Sequence, residues 1–126
     1  MAIPDVFDRR VYAEGEVIFK EGEVSRRCAY LVQSGRVEIS KRSEDGSDVV
    51  LGYVPTGGLF GEMALVDNSP RMAMARAVDV TAVVIISESM LEAKLKKADP
   101  FIRGLMHVFV RNIRDMANKM VGSRGY

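Results

Sequence analysis

The 126-residue chain has one cysteine, Cys28, and one histidine, His107. A lone cysteine excludes an internal disulfide, and a cytoplasmic, reducing setting is the simplest expectation. One histidine and one cysteine are too few for a metal centre that needs several ligands. No nucleophile has a credible base, so enzyme readings are disfavoured. Cys28 reads as a small core residue, and His107 as a helix-surface or packing residue. No apolar run approaches the roughly 18–20 residues that cross a bilayer. The amino-terminal MAIPDVFDRR also lacks an apolar core followed by a small-residue cleavage site, so no signal peptide is expected. Charge of one sign is missing too: 18 Lys and Arg against 17 Asp and Glu leave +1, which excludes a strongly basic nucleic-acid binder.

The charge is nevertheless uneven. Residues 1–93 carry 10 basic and 15 acidic side chains, and residues 94–126 carry 8 and 2. The basic end fits either an acidic partner, lipid or nucleic acid, or the solvated face of a helix. With 48% hydrophobic and 28% charged residues, the chain is a globular sequence of one-domain size, long enough to bury a core without staples.

Residues 10–86 read as short strands. EVIFK, CAYLVQ, RVEISKR, DVVLGYV, MAMARAV and TAVVIIS are apolar or alternating and rich in β-branched residues. AEGE, KEGE, QSGR, EDGS and PTGG separate them as turns, with Asp45-Gly46 a hairpin signal. That spacing predicts a β-sandwich, roll or barrel. After residue 86 the texture becomes helical. Ser87 is placed as the N-cap of a first helix, and Asp99-Pro100 opens a second. The second is amphipathic, with Ile102, Met106, Phe109, Ile113, Met116 and Met120 on one face and Arg103, Arg111, Arg114 and Asn118 on the other. Gly122 and Gly125 mark its expected end.

The stretch FGEMALVDNSPRMA, residues 60–73, carries the chemistry. Gly57, Gly58 and Gly61 allow a close approach of backbone to a ligand. GEMALV is compatible with one short helix, whose first N–H groups favour an anion. Arg71 adds a planar, bidentate grip on phosphate. Glu62 would repel phosphate, but its carboxylate accepts well from a sugar hydroxyl. A ligand with a phosphate and a nearby ribose hydroxyl satisfies all of them. The alternative is a Glu62–Arg71 salt bridge that only closes a loop.

Phe60, Gly61, Glu62, Ala64 and Leu65, four variable residues, then Pro70, Arg71 and Ala73 resemble the phosphate-binding cassette of the cyclic nucleotide-binding domain family. Gly15, Gly22 and Gly35 resemble its turn glycines. The resemblance implies a mainly β fold: an eight-stranded β-roll of jelly-roll type, about residues 10–86, with the cassette at 60–75 and hinge and lid helices at about 87–121. It implies a single domain over 1–126. It implies that Arg71 pairs with the cyclic phosphate and Glu62 accepts the ribose 2′-hydroxyl. The N–H groups of Gly61, Glu62 and Ala73 would complete the cradle, with Phe60, Met63, Ala64 and Met72 also facing the ligand. Ile39, Leu51 and Val54 would form an apolar wall near the sugar and base, and Arg114 or Asn118 would cap the base. Where cyclic GMP-selective members carry Thr or Ser, this chain has Met74, which favours cyclic AMP, with cyclic GMP as second ligand.

The function so implied is a cyclic nucleotide sensor without cofactor. It would signal by movement of the last helix to an effector protein in trans or to an absent output domain. A homodimer through Phe109, Ile113, Met116 and Met120 is compatible with it. No DNA-binding motif and no membrane segment follow from the sequence. A degenerate domain that binds no nucleotide and serves as an interaction module is the alternative. A small β-roll enzyme or sugar-binding protein is the other.

Overall fold

The computed structural model describes residues 8–24, 26–65 and 70–120, and the backbone alone for residues 110, 113, 114 and 116–120. Eight strands precede two helices: β1 (Asp8–Tyr12), β2 (Val17–Phe19), β3 (Cys28–Ser34), β4 (Val37–Arg42), β5 (Asp48–Val54), β6 (Leu59–Phe60), β7 (Met74–Ala77), β8 (Thr81–Ser87), α1 (Glu88–Lys96) and α2 (Pro100–Met120). The strands form two four-stranded sheets, in the order β1-β8-β3-β6 and β2-β7-β4-β5. All pairings are antiparallel. The mainly β fold with two carboxy-terminal helices is therefore as the resemblance implied.

Side-chain alternation explains how the two sheets close on each other. Tyr12, Phe19, Cys28, Tyr30, Val32, Val37, Phe60, Ala75, Ala77 and Val83 form one buried cluster drawn from strands of both sheets. On β7 the inward positions are the alanines Ala75 and Ala77, both fully buried. The intervening Arg76 is exposed and ion-pairs with Glu38 on the neighbouring strand. β8 runs between β1 and β3, and its first four residues, Thr81 to Val84, are all buried. This is why TAVV reads as a continuous apolar run rather than an alternating one. β1 was not legible because DRRVY is an edge strand whose first four residues are exposed and largely charged. β6 has only two residues, too few for a pattern.

Local chemistry sets the boundaries. At the β4–β5 hairpin Gly46 takes φ +88°, and the Asp45 carboxylate accepts from the Ser47 N–H and from the Ser43 and Ser47 hydroxyls. These bonds favour the charged form and lower the Asp45 pKa to about 2. Ser87 Oγ accepts from the Met90 N–H at 3.2 Å, and Asp99 Oδ1 accepts from the Phe101 N–H at 2.8 Å. Both predicted N-caps are therefore in place. α1 is further tied to the roll by Arg27, which ion-pairs with Glu88 and accepts the Glu88 N–H on its carbonyl at 3.0 Å.

Gly35 joins β3 to β4 at φ +91°, and a Cβ there would lie 2.6 Å from the Val80 carbonyl oxygen and 2.7 Å from Thr81 Cα. The fully buried Thr81 side chain is bonded to the Arg36 backbone beside it. Backbone cannot yield as a flexible side chain would. Gly35→Ala is expected to destabilise the fold by about 2–4 kcal/mol, combining left-handed strain with overpacking. Urea unfolding should show a lower midpoint with an unchanged slope. A midpoint equal to wild type would contradict this account of the turn.

Candidate functional site

The region around residues 60–73 is a cleft, and its walls come from distant parts of the chain. Phe19, Ile39, Val54, Leu59, Phe60, Gly61, Glu62, Met63, Ala64, Pro70, Arg71, Met72 and Ala73 line a space of about 180 Å³ that opens to solvent.

Arg71 is the centre of the site. It is only 7% exposed, unusual for an arginine. Its backbone is clamped on both sides by the β2–β3 loop: its N–H donates to the Glu23 carbonyl at 2.8 Å, and its carbonyl accepts from the Gly22 N–H at 2.7 Å. Gly22 is at φ +81°, which a turn this tight requires. The guanidinium donates from Nη1 to the Gly61 carbonyl at 3.0 Å and from Nη2 to the Cys28 carbonyl at 3.1 Å. It lies over the Phe19 ring at 4.3 Å and within 5.7 Å of Tyr30. Neutral groups and ring faces thus hold it, and no carboxylate among the described residues lies within ion-pair distance. The carbonyls and the ring face offset much of the cost of burying this charge, and an anion in the cleft would add a counter-charge.

Glu62 opens a four-residue 3-10 helix, Glu62–Leu65, where the sequence suggested one short helix. Amides at the start of such a turn have no partner within it. The Glu62 carboxylate lines the cleft half-buried and makes no salt bridge with Arg71. The loop-closing pair that the sequence left open is not formed. Both residues instead line the same space. Lys41 steadies the far end of the cassette, donating to the Met72 carbonyl at 2.8 Å while pairing with Glu21 at 3.3 Å. Glu21 is itself held ionised, chiefly by the Arg42 backbone N–H.

Of the residues singled out by sequence, Ile39, Val54, Phe60, Gly61, Glu62, Met63, Ala64, Arg71, Met72 and Ala73 come together on this wall. Leu51 and Met74 do not line it. Leu51 is the extra residue where the β4–β5 register shifts, between partners Gly52 and Val50, and is 37% exposed. Met74 starts β7 opposite Ser40. The side chains of Arg114 and Asn118 lie outside the described residues. Gly57 and Gly58 also stay off the wall and shape the β5–β6 turn, with Gly57 at φ +87°. Phe19, Leu59 and Pro70 line the cleft without having been named as site residues. For Phe19 no local signal existed, because an aromatic inside EVIFK reads as ordinary core. In the described half of α2, Phe101, Ile102, Leu105, Val108 and Phe109 are exposed, while Met106 is half-buried.

A cyclic nucleotide-binding domain model matches residues 9–98. The Cyclic AMP receptor protein of Thermus thermophilus is 31% identical over 109 residues, which are 86% of this chain and 50% of that protein. The chain thus spans about half the length of this curated relative. Among solved structures, an EAL enzyme in a half-site-occupied form superposes with a TM-score of 0.80 at 29% identity, covering 88% of this chain and 98% of that one. The regulatory domain of Toxoplasma gondii PKA with cAMP gives a TM-score of 0.64 at 29% identity, covering 69% of this chain and 33% of that one.

Gly61 holds the two halves of the site in register. At φ +72°, a Cβ would meet Arg71 Nη1 at 2.9 Å and the Phe19 ring at 3.3 Å. Gly61→Ala is expected to cost about 1–3 kcal/mol of stability through backbone strain and to push the guanidinium off Phe19. Calorimetric unfolding and an Arg71 side-chain NMR shift would report the two effects. An unshifted Arg71 resonance would refute the packing described.

Proposed function

Because this chain belongs to the cyclic nucleotide-binding domain family, we propose that it is a sensor which binds cyclic AMP in the Arg71 cleft and reports occupancy through its carboxy-terminal helices. The observation that carries this reading is the buried Arg71 guanidinium with no carboxylate partner among the described residues, at the wall of a cleft that also presents a separate carboxylate. The ligand must bring an anion for Arg71 and a hydroxyl for Glu62. A cyclic ribose phosphate carries both. The amides at the start of the Glu62–Leu65 turn supply further donors to the phosphate. Apolar side chains from β4, β5 and β6, with Met63 and Met72, receive the less polar parts of the ligand.

The β2–β3 loop gives the signal a physical route. Gly22 and Glu23 of this loop hold the Arg71 backbone, and Arg27 at its far end ion-pairs with Glu88, the first residue of α1. A shift of Arg71 toward a phosphate therefore loads the loop that anchors α1. α2 follows α1 with apolar residues exposed along its first half, surface suited to closing over the ligand or meeting a partner. The ligand would shift the population toward the closed arrangement only by its differential affinity for it.

Three outcomes follow. Arg71→Ala removes charge-assisted contacts worth about 1.5–3 kcal/mol, so cyclic AMP should bind roughly tenfold to a hundredfold more weakly. Titration calorimetry on a folded variant checks this, and an unchanged dissociation constant would sink the assignment. Binding of neither cyclic AMP nor cyclic GMP by wild type would favour the interaction module. For Glu62, the penalty for 2′-deoxy cyclic AMP should shrink in Glu62→Ala, because both changes delete one contact. Simple additivity would mean Glu62 does not touch that hydroxyl. Finally, cyclic AMP should slow amide hydrogen exchange across residues 100–120. Equal protection with and without nucleotide would show that α2 is not the reporter.

A further inference from the structure

The chain passes from the cleft into the roll just before β7. β7 pairs with β4 from Ala77 opposite Val37 to Met74 opposite Ser40, and there the ladder stops. β4 continues to Lys41 and Arg42, whose ladder partners lie on β5. Just beyond the end of the β4–β7 ladder, the Met72 carbonyl accepts from a side chain instead, the Lys41 ammonium, at 2.8 Å. Lys41 is held in turn. Glu21 pairs with its Nζ at 3.3 Å and accepts the Arg42 N–H at 2.9 Å. A Lys–Glu pair this exposed contributes little by itself. The bond to Met72 is what sets this one apart.

The Met72 carbonyl and the Ala73 N–H belong to one peptide unit. It is planar and trans, so the two groups point in opposite directions. Fixing the carbonyl on Lys41 therefore aims the Ala73 N–H away from Lys41. Ala73 lines the cleft, and Lys41 does not. Ala73 is buried, and among the described residues no hydrogen bond takes up its N–H. A backbone donor in a buried residue is normally paired, and an acceptor on a ligand in the cleft would pair this one.

We infer that Lys41 is a positioning residue of the ligand site. Through the Met72 carbonyl it fixes the direction of the Ala73 N–H, which donates to one exocyclic oxygen of the cyclic phosphate. Glu21 holds Lys41 at that carbonyl. Without the ammonium the peptide unit is free to turn, and the amide is no longer preorganised for the phosphate. This rests on the cyclic-nucleotide reading above and adds to it a residue that does not touch the ligand.

The test compares the full chain with Lys41→Met, which keeps the apolar stem and removes the ammonium, and with Lys41→Arg, which keeps a cationic donor. By titration calorimetry, Lys41→Met is expected to weaken cyclic AMP by about three- to tenfold, and Lys41→Arg by less. The Ala73 amide resonance of the ligand-free protein should shift in Lys41→Met. The two phosphorothioate diastereomers of cyclic AMP separate positioning from a general loosening of the fold. Each replaces one exocyclic oxygen by sulfur, which accepts hydrogen bonds more weakly. Acting through one amide on one oxygen, Lys41→Met should lose much of its penalty with one diastereomer and keep it with the other. An unchanged dissociation constant for cyclic AMP, an unshifted Ala73 amide, a full penalty in Lys41→Arg, or a penalty that treats the diastereomers alike would each overturn the inference and leave cyclic AMP binding intact. Failure of the unsubstituted chain to bind cyclic AMP would instead overturn the parent reading.

Discussion

A guanidinium held inside the protein without a carboxylate partner among the described residues is the constraint on which the site depends. Removing a charge from water costs several kcal/mol even after relaxation. Hydrogen bonds to a charged group return about 1.5–3 kcal/mol each, and a desolvated cation–π contact about 2 kcal/mol. Two carbonyl bonds and the Phe19 ring therefore roughly balance the cost for Arg71. The residue is held in place but its charge is left open to an anion. That balance explains the surrounding sequence. Gly61 must lack a Cβ so the guanidinium can reach its carbonyl, and Gly22 must turn so the loop can clamp the Arg71 backbone.

The other half of the site follows from keeping the two charges apart. Were Glu62 paired with Arg71, each would satisfy the other and the cleft would be closed to a ligand. The 3-10 turn from Glu62 to Leu65 sets Glu62 on the wall of the same cleft without an ion pair to Arg71. The apolar wall around them lowers the local dielectric, which strengthens whatever the two charges do bind. Burial also pushes the Tyr30 phenol up, keeping it neutral beneath the Arg71 site.

Much of the architecture could be read locally. Strands with a buried face announced themselves by alternation or by unbroken β-branched runs, as in TAVVIIS, whose bounds match β8. The caps Ser87 and Asp99 were legible because capping is chemistry between near neighbours in the chain. β1 failed this reading because an edge strand buries little and carries charge. The cassette was legible because most of its members are close in sequence. Phe19 was not, since its role comes from a fold that sets β2 beneath a residue far along the chain. Leu51 and Met74, expected on the wall, are not among the residues that line it.

The amino-acid sequence by itself determined the kinds of element, the turns that glycine permits and the helix caps. These all depend on contacts within a few residues, where covalent geometry limits the options. Tertiary structure alone decided that Arg71 is buried on an aromatic ring, that Glu62 forms no ion pair with it, and which apolar side chains face the cleft. Each of those depends on the register of strands distant in sequence, and a slip of one residue would turn every side chain to the opposite face.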